Sequence, residues 1–328
     1  MQIGVLCSGG DAPGMNACVR AVVRTAVSEG HEVVGFMDGY QGILDQNFFI
    51  GSAGSHRLFM RSVSGIVKNG GTFLHSSRCP EFATPEGTQK AADILDKLGV
   101  DALVPIGGNG TLAGAHALGK IWKGRIVGCP GTIDNDLNGT DFTIGFKTAV
   151  QTAVEAVDKL RDTASSHHRM FLVELMGRHC GCITLHTAIA AGCEAACIPE
   201  MPMEIGTLVE KLTNLKKLGK TSIIMVVAEG YQDGVLELQK KLEDAGCPFS
   251  MRSVVLGHLL RGGDPCPDDR ILASMTGNLA VRAILDGETD KMAGVQNNRP
   301  VLVPLTEAIE GHRVISQEEL SLLECLSR

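Results

Sequence analysis

Short apolar runs rich in Val and Ile recur along this chain, and each stops at a glycine beside a polar residue before a helix-like segment begins. The runs are QIGVLCSGGD, HEVVGFMDG, DALVPIGGNG, RIVGCPGTIDND, MFLVELMGRHCG, TSIIMVVAEG and SVVLGHLLRGG. This alternation predicts βαβ units and a mostly parallel sheet, the α/β class. In the first unit Pro13 sits near a helix start and Gly30 ends that helix, as the terminus preferences of these residues predict. At 328 residues the chain exceeds the roughly 100–200 residues of a usual domain. Two lobes or one large α/β unit is therefore expected, and topology places the lobe change near the helix start in TIGFKTAV. No short-period repeat, low-complexity stretch or linker is visible.

In open α/β sheets ligands bind beyond the carboxyl ends of the strands. Those ends supply Gly9, Gly10 and Asp11, residues 107–111, Thr132, Asp134 and Asp136, then Arg178, Glu229, His258 and Arg261. The formal net charge of -7 gives no basic field for nucleic acid or an acidic membrane, so neither is an expected partner. A small anion held by local Arg and Lys fits better. The eleven cysteines lack C-x-x-C pairing, and buried-looking Cys129, Cys193 and Cys197 predict free thiols in a reducing compartment, with no zinc site. MQIGVLCSGGD reads as a first strand, not a signal peptide, and no uncharged apolar run approaches the roughly 18 residues of a membrane span. A cytoplasmic location is the expectation.

Glycines after a strand let backbone approach a phosphate, and the helix that follows offers free N–H groups and a positive dipole end. SGGDAPG and GGNGT both have this layout. Asn109 stands where a magnesium site would usually want a carboxylate. It begins the helix TLAGAHALGKI as an N-cap, or turns its side-chain oxygen toward a metal as a weaker, neutral ligand, and both can be true together. In GCPGTIDNDLNGTD, Thr132, Asp134 and Asp136 would project to one side of a locally extended chain. One Asp as base and a second holding substrate would suit phosphoryl transfer; a polar turn of Asp, Asn and Gly is the alternative.

The blocks GVLCSGGDAPGMNACVRAVVR, GGTFLHSSRCPEF, PGTIDNDLNGTDFTIGF, LRDTASSHHR, VELMGRHCG and VLGHLLRGGDPCPDDR, with the weaker AGCE, identify a chain that resembles bacterial 6-phosphofructokinases from end to end. The resemblance implies two similar-topology three-layer α/β lobes with mostly parallel sheets and an active site at strand C-terminal ends between the lobes. Residues 1–145 with 258–310 would form the larger, nucleotide-binding lobe. Residues 146–257 with 311–328 would form the smaller, sugar-phosphate-binding lobe. It further implies ATP-dependent phosphorylation of fructose 6-phosphate with magnesium in a homo-oligomer, a tetramer. Asp134 would be the base for the sugar 1-hydroxyl, with Thr132 and Arg178 stabilising the transferring group. Asp136, Met176, Gly177, Glu229, His258 and Arg261 would hold the sugar phosphate. Gly10, Tyr40, Arg78, Cys79, Gly108, Asn109, Gly110 and Thr111 would line the nucleotide site; Cys79 stands where an aromatic is common.

Arg169 and Arg252 each lie just before an apolar run whose reactive loop follows it. A strand of about seven residues spans roughly 23 Å, so these arginines should serve a neighbouring subunit's site, as the resemblance also implies; solvated strand-edge charges are the alternative. Pyrophosphate-dependent relatives place Asp and Lys where this chain has Gly110 and Gly131, which points to ATP. A non-catalytic sensor of sugar phosphate or nucleotide is the remaining class, motivated by Asn109 and opposed by the retained Asp134, Thr132 and Arg178. Arg20 and Arg24, one helical turn apart, with Arg161, Glu194 and Lys220, look like parts of the family's effector site for ADP or phosphoenolpyruvate. Met60 and Leu218 stand where basic residues are usual, and the C-terminal tail departs from the family, so altered allostery is expected. Lys147 has no assignment.

Overall fold

In the computed structural model, residues 1–51, 54–232, 234–311 and 315–327 are described. The chain forms two compact units, Met1–Thr148 with Arg261–Arg313 and Ala149–Leu260 with Val314–Arg328. In chain order the first unit contains β1 Gln2–Ser8, α1 Met15–Ser28, β2 Glu32–Gly35, α2 Tyr40–Leu44, α3 Pro85–Leu98, β3 Ala102–Gly107, α4 Asn109–Gly119, β4 Arg125–Thr132 and β5 Ile144–Gly145. Helix α5, Phe146–His167, carries the chain from the first unit into the second, and the change falls in its first turn. The second unit follows with β6 Met170–Leu175, α6 Cys182–Ala190, β7 Ala195–Cys197, α7 Ile205–Lys217, β8 Ile223–Ala228, α8 Val235–Asp244 and β9 Met251–Val255. The chain then returns through α9 Pro267–Leu285, β10 Lys291–Gln296, β11 Arg299–Pro304 and α10 Leu305–Glu310, and α11 Gln317–Leu326 closes the second unit.

The first unit's seven-stranded sheet runs β11-β10-β4-β3-β1-β2, with β5 beside the end of β4. All pairs are parallel except β10 with β11. Helices cover both faces, which is why β1 and β3 read as continuous apolar runs. Register places Ser8 beside Gly107, and Gly107 beside Pro130. The ends of β1, β3 and β4 therefore open side by side. The β10–β11 hairpin is an element missed in the sequence reading. Its signal is the Asn297-Asn298 pair, whose φ values of 50 and 60 are those of a type I′ turn.

The second unit's four strands are all parallel, in the order β7-β8-β6-β9. Ile223, Met225 and Val227 point to one face, where Leu208, Leu212 and Leu215 of α7 and Val235, Leu238 and Leu242 of α8 complete a core. The intervening Ile224 and Val226 face the other way, and α6 packs on β7 and β8. Both units are thus parallel α/β layers, but their strand orders differ: the first four strands of the first unit lie 2-1-3-4 and those of the second 2-3-1-4. Among the described residues no helix is long and apolar enough to cross a membrane.

Candidate active site

The glycine loops of the first unit are held from below by neutral groups. Thr111, buried in the first turn of α4, donates its hydroxyl to the Ser8 carbonyl at 2.9 Å, and so ties the β3 loop to the β1 loop. A Cβ on Gly107 would lie 2.3 Å from that hydroxyl and 2.5 Å from Ser8 O, so only glycine permits the approach. Tyr40, expected to line the nucleotide site, is only 3% exposed. Its ring stacks on Phe82 at 3.9 Å and its hydroxyl donates to Thr111 O at 2.7 Å. Its aromatic body is core; its contribution to the loop is support. Cys79 is half-buried and its thiol donates to Gln41 Oε1 at 3.2 Å, while Arg78 is exposed and makes no ion pair among the described residues. The Arg261 guanidinium lies 3.1–3.3 Å from where a Gly10 Cβ would be. The absence of a side chain at Gly10 gives that cation its place.

Asn109 does not cap α4. It is the first helical residue, Gly108 is the N-cap, and no side chain caps the turn. The Asn109 amide instead donates through Nδ2 to the Ile309 carbonyl of α10 at 3.3 Å. The N-cap expectation is corrected by this competing acceptor. A Cβ on Gly110 would meet nothing within 4 Å, whereas one on Gly131 would lie 2.9 Å from Met15 Cε and 3.0 Å from Ile106 Cγ2. Space beside the cradle is open at Gly110, and Gly131 is fixed by packing.

A Cβ on Gly108 would lie 3.3 Å from Thr132 Cβ, so the acidic loop abuts the cradle. Thr132 and Asp134 are not aligned by extended backbone, as the sequence reading supposed. Strand β4 ends at Thr132, and Asn135 takes a left-handed φ of 54; Asn tolerates this better than most residues. The Asn135 side chain accepts from Thr143 N at 2.9 Å, the Thr143 hydroxyl donates to Thr132 O, and the Thr132 hydroxyl accepts from Asp134 N at 3.2 Å. The polar-turn reading of DND holds: a hydrogen-bonded turn carries Asp134, which is 4% exposed. Asp269, which the sequence reading missed, supports the far side of this turn. Fully buried, it accepts from Gly145 N at 3.0 Å, from Thr148 N at 2.8 Å and from the Thr148 hydroxyl at 2.5 Å. Burial pushes its carboxyl above the ordinary value, and the hydrogen bonds from Thr148 and Gly145 oppose that in part. Its signal lay in PCPDDR, where a carboxylate sits in the first turn of a helix. Lys147 now has partners: its ammonium lies 3.7 Å from Asp268 Oδ1 and 4.4 Å from the centre of the Phe142 ring.

In the second unit the β6 loop turns sharply at Gly177 and Arg178, with φ of 144 and 53. Glu229 accepts from Gly177 N at 3.1 Å and from Arg178 N at 2.7 Å through one oxygen. It therefore holds the loop that carries Arg178. Met176 is buried behind that loop, and His258 is exposed on the 3-10 helix Gly257–Arg261. Arg169 precedes β6, as expected. Arg252 does not precede its strand but is the second residue of β9, opposite Phe171, because β9 begins at Met251. Both arginines remain at the opposite strand ends from Arg178 and Glu229; the six residues of β6 span about 20 Å.

Of the effector candidates, Arg20 and Arg24 lie on α1 of the first unit, half-buried and without ion-pair partners among the described residues. The other three meet in the second unit. Buried Glu194 takes Arg161 at 3.3 Å and Lys220 at 3.0 Å on one oxygen, and the backbone N–H of Ile224 at 2.9 Å on the other. All eleven cysteines are free, and burial pushes the Cys7, Cys193 and Cys197 thiols up to about 12.

Side-by-side glycine cradles at parallel strand ends, with a carboxylate loop against them, define an α/β phosphate-binding protein equipped for phosphoryl transfer. The chain belongs to the phosphofructokinase family, whose profile matches residues 2–284. It is 45% identical over 327 residues to the ATP-dependent 6-phosphofructokinase of Paenibacillus macquariensis, covering 100% of this chain and 99% of that one. Against the enzyme so named from Actinobacillus succinogenes it is 46% identical over 312 residues, 95% of this chain and 94% of that one. The structure of phosphofructokinase from Saccharomyces cerevisiae matches 99% of this chain with a TM-score of 0.86 and 34% identity, and this chain spans 47% of that longer one. A pyrophosphate-dependent phosphofructokinase from Marinobacter aquaeolei shares the fold, with a TM-score of 0.83 at 19% identity.

Proposed function

We propose that the chain transfers the terminal phosphoryl group of ATP to the 1-hydroxyl of fructose 6-phosphate, giving fructose 1,6-bisphosphate and ADP. The observation that carries this reading is the contact between the Gly108 cradle and the Thr132–Asp134 turn. It sets a general base beside a place built for phosphates. Asp134 takes the proton from the attacking hydroxyl as its oxygen bonds to the terminal phosphorus, and the bridging oxygen leaves on ADP. The Thr132 hydroxyl and the Arg178 guanidinium stabilise charge on the transferring oxygens. Asp136, Met176, Gly177, Glu229, His258 and Arg261 hold the sugar phosphate. Gly10, Tyr40, Arg78, Cys79, Gly108, Gly110 and Thr111 form or support the nucleotide site, the first unit acting as the nucleotide lobe and the second as the sugar-phosphate lobe.

Magnesium fits the donor chemistry. Asn109 has committed its nitrogen to Ile309, which leaves its oxygen as the atom it can offer, and magnesium prefers oxygen ligands and commonly keeps water and substrate phosphates around it. When bound, the ion neutralises charge on the phosphate oxygens. Asn109 would be a neutral ligand at such a site, beside the nucleotide's own phosphates.

ATP is favoured over pyrophosphate because Gly110 leaves open space beside the cradle, while Gly131 has no room for the Lys of pyrophosphate-dependent relatives. Arg169 and Arg252 serve the site of an adjacent subunit in a homotetramer, since strands separate them from the reactive loops of their own unit. Arg20, Arg24, Arg161, Glu194 and Lys220 form an effector site with altered allostery, because Glu194 already carries two cations of its own chain. The free thiols fit a reducing, cytoplasmic setting. The test is fructose 1,6-bisphosphate formation with ATP or pyrophosphate across a magnesium titration. Turnover with ATP alone is expected; turnover with pyrophosphate alone would overturn the donor, and none with either would move the chain to a sensor.

A further inference from the structure

The reactive loop of the second unit is held at both ends by carboxylates, and only one of them belongs to the residues already discussed. Arg178 sits in a left-handed conformation, φ 53, which costs a non-glycine residue on the order of 1 kcal/mol and persists only where its surroundings enforce it. Behind it, a Cβ on Gly230 would lie 2.0 Å from the Arg178 carbonyl oxygen, so backbone presses on backbone there. Cys180 N donates to Gly177 O at 2.9 Å and closes the turn. Glu229 fixes the near end through Gly177 N and Arg178 N. The far end is fixed from another strand: Glu200, just beyond β7, accepts from Gly181 N at 2.8 Å.

Among the described residues exposed Glu200 forms no ion pair and makes that one hydrogen bond. A Cβ on Gly181 would lie 2.6 Å from its second oxygen, so glycine is what lets the carboxylate come so near. Gly181 is also the N-cap of α6, where the helix dipole favours a negative charge. An exposed carboxylate with no cation and a single backbone donor has a geometric role. We propose that Glu200 is a positioning residue for phosphoryl transfer: through Gly181 it fixes the far end of the loop that aims Arg178. This rests on the reading of Arg178 as the cation that stabilises the transferring group.

Without the Glu200 bond the far end of the loop loses its tie to the segment after β7, and the aim of the guanidinium loosens. Misplacement by about 1 Å can cost on the order of 10²-fold in rate. The test uses the purified full chain with Glu200→Ala, Glu200→Asp, Glu200→Gln and Arg178→Lys. Glu200→Ala is expected to lower kcat by roughly tenfold or more, with both KM values within about threefold, since the lost interaction acts in the transition state. Glu200→Asp keeps the charge and the fold but loses the reach, and should behave like Ala. Glu200→Gln keeps a carbonyl acceptor and should stay within about threefold of the parent. In an Arg178→Lys background, Glu200→Ala should cost less than about threefold, because coupled residues are not additive.

Parent-like kcat in both Glu200→Ala and Glu200→Asp overturns the proposal. So does Glu200→Gln as slow as Ala, or a cost that persists undiminished in the Arg178→Lys background. Arg178→Lys alone at the parent's kcat would show that the reading of Arg178 has failed, and the Glu200 proposal falls with it. These outcomes separate the two failures.

Discussion

The two units hold their reactive residues by opposite means. In the first, the loops at the ends of β1, β3 and β4 are fixed by hydroxyls, amides and close backbone contact: Thr111 to Ser8, Thr143 to Thr132, Asn135 to Thr143. In the second, the loop after β6 is fixed by carboxylates, Glu229 and Glu200. The reason lies in what each loop presents. A phosphate cradle must keep its N–H groups and positive helix end for the ligand, and a structural carboxylate there would compete with the phosphate. A loop that presents an arginine is under no such restriction, and carboxylates can hold its backbone from behind. Charge near the cradle should therefore be felt as chemistry, and charge behind the arginine loop as geometry.

The largest expected effect tests the first half of that contrast. Asp134→Asn keeps the shape of the turn and removes the proposed base, so kcat should fall by roughly 10²–10⁴-fold, the range general-base removal commonly gives. KM for fructose 6-phosphate should move far less. A variant that instead loses binding at full kcat would make Asp134 a ligand holder. The second effect tests what the other unit presents. Arg252→Ala removes a cation proposed to hold a neighbouring subunit's sugar phosphate, so KM for fructose 6-phosphate should rise by roughly tenfold or more while kcat changes little. Mixed oligomers of Arg252→Ala and Asp134→Asn chains should regain turnover if sites are shared, because some sites then draw both intact residues. Mixtures no faster than the sum of their parts would place Arg252 at its own chain's site or at none.

Asn109 is itself one of the first unit's neutral ties, since it lies in a cradle and its amide holds α10. Asn109→Asp should lower the magnesium concentration needed for half-maximal rate, as a carboxylate is the better ligand. It should also cost about 1 kcal/mol of stability, because the Ile309 carbonyl loses its donor and gains an acceptor as its neighbour. Magnesium titrations and denaturant midpoints read the two parts separately. An unchanged magnesium profile with the stability loss present would reduce Asn109 to its tether.

Strand ends, and with them the loops that matter, were legible in the sequence because burial on both faces forces continuous apolar runs that stop at Gly plus a polar residue. How the loops are held was not. Glu229 and Glu200 bond to N–H groups 52 and 19 positions away, Asp269 to one 124 positions away, and nothing local in PE or PDDR says which backbone they will meet. Arg252 falls inside its strand because β9 begins two residues before SVVLGHL, at Met251, which is buried like a strand residue. The N-cap expectation for Asn109, one of its two readings, rests on residue preference alone. A carbonyl 200 positions away decided otherwise.

Asp269 offers the exception that sharpens the comparison, a buried carboxylate in the first unit that holds Gly145 N and Thr148 N. Burial raises its carboxyl above the ordinary 3.8. The folded chain therefore keeps a proton that the unfolded chain has released, and the resulting penalty is absent below 3.8 and complete above the raised folded value. Its contribution to stability falls as pH rises through that window. Asp269→Asn lacks this titration, so its stability relative to the parent should improve as pH rises from acid to neutral. Denaturant midpoints of both proteins across the window measure it, and a constant difference would show that Asp269 does not titrate there.

The smallest effect lies in α6, the helix whose reactive end Glu200 holds. Thr184 and Thr187 are both fully buried, and among the described residues their hydroxyls find no partner. A desolvated hydroxyl without a hydrogen bond is a cost, and Val has nearly the same shape without it. Thr184→Val and Thr187→Val should each raise stability by roughly 0.5–1 kcal/mol. If carboxylates at its reactive end are what aim the arginine loop, the body of α6 is only packing, and kcat should not follow the gain. A fall in kcat with rising stability would mean that the loop is held through the interior of the helix as well, and the contrast between neutral and charged holding would no longer divide the two units.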